Sequence, residues 1–364
     1  MPDIPSGFVT VLYLFDVARS IDLDRITAEL GEQAARATLS DKTAGPPRSR
    51  YVQPPLLVDG QVLNCGDLDD LKVRVKFYDY GVVSLTLTRP FAGSWSDLVS
   101  LGQTLIENEP LENRATQACE RIVTRLRAAL VDRRDSFLSE DYLVFAVTAV
   151  DPPLGADEMI VRHGQDIAQL LRGERQLLSA QERDYVLSQR LSYLADDVVV
   201  PAWNAAWIYD TEAAALAAVE MLELANSQLL EFRYHDDLLE AELTRLYAEL
   251  QRPRWTGRFA LRRRRRAVLD VQSLFIDVNE LTDRLENTVK FAGDPYAARL
   301  LSNASTRLGL QHWKSSVEEK LRTLDDIRRF AVEQTGMAQA NLLELVIVAI
   351  LVIELGLFFA GIMK

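Results

Sequence analysis

Hydrophobic positions along the chain follow two regimes that change near residue 210. Over 1–209, short apolar runs alternate with helical patterns. The runs at 8–17, 51–58, 72–78, 82–89, 142–150 and 197–209 are rich in Val, Leu, Phe and Tyr and have strand length. Apolar spacing of three and four predicts helices over 22–39, 95–131, 157–171 and 180–191. The last carries a start signal, because Ser179 precedes it and Glu182 stands three positions on, as a capping box requires. Breakers in KTAGPPRSR (42–50) and DPPLG (151–155) mark loops. The order β-α-β-β-β-α-β predicts an α+β domain over 1–209, of ferredoxin-like type.

Beyond 210 the pattern lengthens. Leu222, Leu229, Phe232, Leu239, Leu243, Leu246 and Leu250 predict one helix over 211–251, ended by Pro253 and Gly257. Val271, Leu274, Val278, Leu281 and Leu285 predict a second over 259–291, ended by Gly293 and Pro295. A third starts near 295, with Leu310, Trp313, Val317, Leu321, Leu324 and Ile327 on one face. Together they predict a helical bundle or coiled-coil stalk over 210–341.

The end of the chain, 342–364, reads as a membrane anchor. From Leu345 to Met363 the only charge is Glu354. The stretch is roughly 28 Å long as a helix, close to a hydrocarbon core of ~30 Å. Its thirteen Leu, Ile, Val and Phe residues favour insertion by about 6 kcal/mol, against about 3 kcal/mol for one central carboxylate. Arg322, Arg328 and Arg329 precede the span and only Lys364 follows it. The positive-inside rule then predicts a single-pass, tail-anchored protein with its N-terminal domain cytoplasmic. The preference for Arg over Lys points to a GC-rich bacterial genome, and so to a bacterial inner membrane. Glu354 would sit at mid-bilayer and face a neighbouring span, which predicts a homo-oligomer; Glu344 would lie at the water interface.

Composition adds limits. The 364 residues carry a net charge of −12, which argues against a general nucleic-acid binder. Two cysteines, Cys65 and Cys119, are far apart and fit neither a disulfide framework nor a zinc site. The start, MPDIPSGFVTVLYLF, has no basic region and is not a signal peptide. No phosphate-loop, dinucleotide, nucleophile-elbow or HExxH pattern occurs, so no catalytic residue, cofactor or metal site is assigned. Glu231 and His235, with Asp236 beside them, could share a metal, but a solvated helix face explains them better. Asp67, Asp69 and Asp70 read as an acidic turn. The strongest local signal is basic: Arg262, Arg263, Arg264, Arg265 and Arg266 in a row, with Arg252, Arg254, Trp255 and Arg258 upstream. Such a run near a helix start opposes the macrodipole. It predicts contact with anionic lipid head groups of the bilayer or, as a local exception to the global charge, with RNA phosphate.

Two short motifs carry a family resemblance. Leu343-Glu344 opens the apolar tail with Glu354 ten residues later, and Tyr78-Asp79-Tyr80-Gly81-Val82-Val83 closes the first group of strands. These resemble the family named for "required for meiotic nuclear division" proteins. The resemblance implies an α/β region, long helices, one C-terminal span and a non-enzymatic, membrane-tethered role; mitochondrial members are linked to support of mitochondrial translation. The functional expectation is a membrane-tethered cytosolic scaffold that binds a protein partner. The alternatives are a component of an ion-transport system and a tether for RNA or ribosomes.

Overall fold

The computed structural model describes residues 3–36, 54–63, 65, 68, 71–106, 108–251, 295–327 and 329. The chain divides into two compact units, one of 1–235 with 281–314 and one of 236–280 with 315–364. The first unit holds an eight-stranded sheet: β1 (Ile4–Ile21), β2 (Ala34–Arg36), β3 (Leu56–Asp59), β4 (Lys72–Phe77), β5 (Val82–Gly93), β6 (Leu130–Ala149), β7 (Val198–Pro201) and β8 (Ala205–Tyr209). Their spatial order is β2-β3-β4-β5-β1-β6-β8-β7. Every neighbouring pair is antiparallel except β6–β8.

The helices are α1 (Leu23–Leu30), α2 (Trp95–Ile106), α3 (Glu109–Arg125), α4 (Ala156–Arg172), α5 (Ala180–Leu187), α6 (Glu212–Gln251) and α7 (Pro295–Arg307), with a further helical stretch at 310–327. Alternate side chains of β1 face opposite layers. Val9, Val11, Tyr13, Phe15 and Val17 join a core with α1 to α5. Phe8, Leu12 and Leu14 join a second core with Leu222, Ala225 and Leu229 of α6 and Leu300 and Leu301 of α7. Both faces of the sheet are therefore covered, which is why β1 reads as an almost unbroken apolar run.

Several expectations are corrected. The fold is a mixed α/β arrangement on eight strands, not a ferredoxin-like unit. A split βαβ unit sets its first strand beside a parallel partner, whereas β1 lies between β5 and β6 and is antiparallel to both. The first half of α6 lies on the sheet instead of standing away from it as a stalk, because its stripe of Leu222, Leu224 and Leu229 has an apolar sheet face to cover. The expected single-pass, tail-anchored topology and bacterial inner-membrane location are not supported: among the described residues no helix is long and apolar enough to cross a membrane. The segment 342–364, with Glu344 and Glu354, lies outside the described residues, as does the predicted second long helix over 259–291.

Boundaries moved for local reasons. The predicted helix over 95–131 is two helices. Asn108 caps α3 by accepting from the Leu111 N–H at 3.0 Å, and Pro110 sits in its first turn. The predicted strand over 197–209 is a hairpin, β7 and β8, turned at 202–204. The third long helix is interrupted after α7 at Gly309, which takes φ +67°.

Candidate functional site

Four residues of α6 at four-residue steps, Glu223, Ser227, Glu231 and His235, form one stripe, and all are buried. The solvated-face reading of Glu231 and His235 is thereby corrected. Their side chains lie 3.7 Å apart, Nε2 to Oε2, in the interior. Asp236, the third member of that candidate set, belongs to the second unit and binds the Lys320 ammonium at 3.0 Å. Among the described residues no group of three His, Cys, Asp or Glu is placed to hold a metal.

The sheet supplies the partners of this stripe. Register places Lys76 (β4), Ser84 (β5), Leu14 (β1) and Glu140 (β6) in one row across the strands. Lys76 donates to Glu223 at 2.5 Å, and Arg233 pairs with Glu140 at the other end of the row. Three strand spacings span about 14 Å, and the ten residues from Glu223 to Arg233 rise about 15 Å. So α6 crosses this row with one ion pair at each end. Tyr80, in the Tyr78–Gly81 turn between β4 and β5, shares a hydrogen bond of 2.7 Å with the Ser227 hydroxyl.

A bulge completes the layer. Between Asp16 and Ala18 β1 advances two residues, while β6 runs from Leu138 to Arg133. The extra residues swing Arg134 back over the sheet. Its Nε lies 3.3 Å from an Asp16 carboxylate oxygen, and its guanidinium stacks 3.7 Å from the centre of the Tyr234 ring. Burial pushes the Asp16 carboxyl up to about 6 from an ordinary 3.8, with Arg134 holding it back; burial also raises Glu140 against the pull of Arg233.

A pH dependence follows. The folded chain holds the Asp16 proton more tightly than the unfolded chain does. This contribution to stability is therefore full below pH 4 and is lost as pH rises through 6, by on the order of 3 kcal/mol. In urea titrations from pH 4 to 7, the wild type should lose about that much more stability than Asp16→Asn. Equal slopes would show that Asp16 is not the group responsible.

The layer is enclosed, so contact with another molecule must be sought elsewhere. Eight large apolar or aromatic residues are well exposed among the described residues, and four of them, Tyr185, Tyr193, Leu194 and Trp203, gather beside α7 and the β7–β8 turn. The segment 185–193 runs antiparallel to α7. Tyr185 lies against Arg307, the Gln189 carbonyl accepts from Asn303 at 2.8 Å, and the Tyr193 and Tyr296 rings are 5.5 Å apart. Trp203 stands next to Gly309, just past the end of α7.

Buried polar groups hold these side chains outward. The Asp197 carboxylate is buried and accepts from the backbone N–H groups of Tyr193 and Leu194, each at 2.7 Å. The buried Tyr142 hydroxyl lies within hydrogen-bond distance of the Ala202 and Ala205 carbonyls, at 3.1 and 2.8 Å, and so pins the turn that displays Trp203. A display fixed by the interior loses little conformational freedom on binding. Tyr193 and Leu194 fall outside every element the pattern predicts, while Tyr185 lies inside the predicted helix over 180–191 and Trp203 inside the predicted strand over 197–209. The available signal was an aromatic residue inside a short polar connection, as in SYLADD and PAWNA.

The basic residues singled out in the sequence, Arg252, Arg254, Trp255, Arg258 and Arg262 to Arg266, lie outside the described residues, as do Asp67, Asp69 and Asp70. Cys65 and Cys119 are buried thiols, and burial pushes the Cys119 thiol up. His163 stacks on Trp95 with ring centres 4.3 Å apart.

No solved structure matches the chain. A protein of Methanocaldococcus jannaschii, named "Uncharacterized protein MJ0711", is 25% identical over 230 residues, which cover 63% of this chain and 68% of that protein. The matching family is described as "Uncharacterized protein MJ0711, N-terminal domain", and its match runs over residues 6–215, from β1 through β8 into the first turn of α6. With more than half of its length so matched, the chain belongs to the MJ0711 N-terminal domain family.

Proposed function

We propose that this chain is a non-enzymatic interaction protein that docks a partner protein on the rim formed by Tyr185, Tyr193, Leu194 and Trp203. The observation that carries the reading is the outward display of Trp203 and of Tyr193–Leu194 on turns fixed by Tyr142 and Asp197. Interface hot spots are enriched in Trp, Tyr and Arg, and this rim holds the first two. The resemblance of Tyr78–Val83 to "required for meiotic nuclear division" proteins implies the same non-enzymatic class.

The test is site-specific photo-crosslinking in cells. A photoreactive residue at 193 or at 203 should capture the same protein, and one at Glu29, exposed on α1 away from α7, should not. With that protein purified, Trp203→Ala should weaken the complex by about 2 kcal/mol or more. Capture from all three positions alike, or from neither rim position, would reject the reading.

A further inference from the structure

We propose that the partner docked at this rim adds a strand to the sheet: an extended, basic segment that lies in line with β8, along the open edge of β6 beside Ser139 and Asp141. This rests on the docking reading above and adds the form and charge of the occupant.

The first support is a sheet edge without a strand. β6 pairs with β1 without a break from Val147 to Leu138, but with β8 only from Val147 to Leu143. Along a strand, the backbone groups of successive residues turn to opposite sides. The Leu143 N–H donates to the Asn204 carbonyl at 3.1 Å, and the Val147 carbonyl accepts from the Asp210 N–H at 3.3 Å. Odd-numbered residues of this stretch therefore turn away from β1. The outward backbone groups of Ser139 and Asp141 meet no neighbouring strand among the described residues. Instead the Asp141 carboxylate leans on its own N–H. As a strand, the open run 138–142 is about 17 Å long.

Both ends of this run are defined. At one stands the turn 202–204, tied to β6 through Asn204 and Leu143, which carries the exposed Trp203. At the other, the bulge after Leu138 ends the regular pairing. The remaining edges of the sheet are less suited. β2 has three residues, β7 is bridged by Leu191 at Val199, and β5 beyond Thr88 carries Pro90.

The second support is charge. Within 138–142 the only charges are Glu140 and Asp141. Glu140 has Arg233, whereas Asp141 is exposed and has no cation against it among the described residues. Glu112 of α3 adds to the negative side: burial, then the Asp141 and Glu112 carboxylates, push the hydroxyl of Tyr13 up, against Arg114. Tyr13 is the cross-strand partner of Asp141. Like charges directly opposite destabilise a sheet and opposite charges support it. A second copy of this edge is thus a poor occupant, because the antiparallel register that pairs the whole run 138–142 with its copy sets Glu140 against Glu140. A Lys or Arg opposite Asp141 is favoured by the same rule. Charge is a common defence of sheet edges; here it has one sign, so it turns away acidic strands and admits basic ones.

The experiment uses the full chain and fluorescence anisotropy at 50 mM salt, with three labelled ten-residue peptides. One alternates Thr and Lys, the second is the same peptide N-methylated at every residue, and the third alternates Thr and Glu. Methylation keeps the charge and removes the backbone donors that an added strand needs, so the Thr/Lys peptide should bind at least about ten-fold more tightly than its methylated form. It should exceed the Thr/Glu peptide by as much. Ser139→Pro blocks the edge; the Ser139 N–H faces outward, so this change takes no bond from the β1–β6 ladder. With folding checked by circular dichroism, it should bring the affinity for the Thr/Lys peptide down to that of the methylated one. Asp141→Asn, a milder change, should weaken Thr/Lys binding about three-fold or more and leave the effect of methylation in place. Equal binding of the methylated and plain peptides would overturn the added strand, and equal binding of the Thr/Glu peptide would overturn the basic occupant. If Ser139→Pro changes nothing while positions 193 and 203 still capture one protein in cells, the rim docks its partner in another way and only the strand falls. If those positions capture nothing, the docking reading falls and the strand with it.

Discussion

Lys76→Met is expected to destabilise the folded chain by about 3–5 kcal/mol, the range for breaking a buried ion pair from one side. The Lys76 and Glu223 side chains are 7% and 2% exposed and lie 2.5 Å apart. The remaining Glu223 oxygen has no hydrogen-bond partner among the described residues. Without the ammonium, a carboxylate would be left in the interior without its counter-charge. Lys76→Met combined with Glu223→Leu removes both charges and should recover most of the loss, returning to within about 1 kcal/mol of the wild type. Urea unfolding of both single variants and the double variant forms a closed cycle. A double variant as unstable as the sum of the singles would mean that the two groups act through other partners.

Gly81→Ala should cost still more stability per atom added, at least about 4 kcal/mol. Gly81 takes φ +100°, and a Cβ there would sit 1.8 Å from the Ala18 carbonyl oxygen. That oxygen belongs to backbone, not to a side chain that could swing away. The turn is also tied to β1, because the Val17 N–H donates to the Gly81 carbonyl at 3.0 Å and the Ile21 N–H to that of Asp79 at 2.9 Å. Gly31→Ala is the control. Gly31 has φ +60° and ψ −135° but open space around its Cα, so only a backbone penalty of about 1–3 kcal/mol applies. Similar losses for the two variants would contradict the close approach of the turn to β1.

What could be read from residues alone divides along physical lines. The strands β4 and β5 and the helix α4 fall where their patterns predict, because each buries a regular face. The half of β6 from 130 to 141 did not read as a strand, since no residue of LVDRRDSFLSED is fully buried there and the segment carries no alternation. The split before α3 was legible in Asn108-Glu109-Pro110, a cap followed by an early proline, but the flanking apolar spacing hid it. On α6 the apolar stripe was visible, yet its polar stripe looked solvated. Only the sheet register explains it, by bringing Lys76 and Glu140 from strands 64 positions apart in sequence to meet Glu223 and Arg233. The rim was invisible for the opposite reason. Tyr193 and Trp203 are distinguished only by where their turns point them, and for Trp203 the deciding contacts, from the Tyr142 hydroxyl to the Ala202 and Ala205 carbonyls, join residues 60 and 63 positions apart.

The central place of β1 also bears on how the protein is made. It precedes every other strand of the sheet in the chain, yet both of its neighbours come much later. From Ile21 to the start of β5 at Val82 is 61 positions, or roughly 3–12 s of synthesis at about 5–20 residues per second. The other neighbour, β6, begins only at Leu130. During that interval an 18-residue strand, apolar on both faces, has both hydrogen-bonding edges open. Such segments are prone to pair with other chains. Until β5 and β6 are made, β1 is therefore the segment of this sheet most open to mispairing, and aggregates formed during synthesis are expected to begin there.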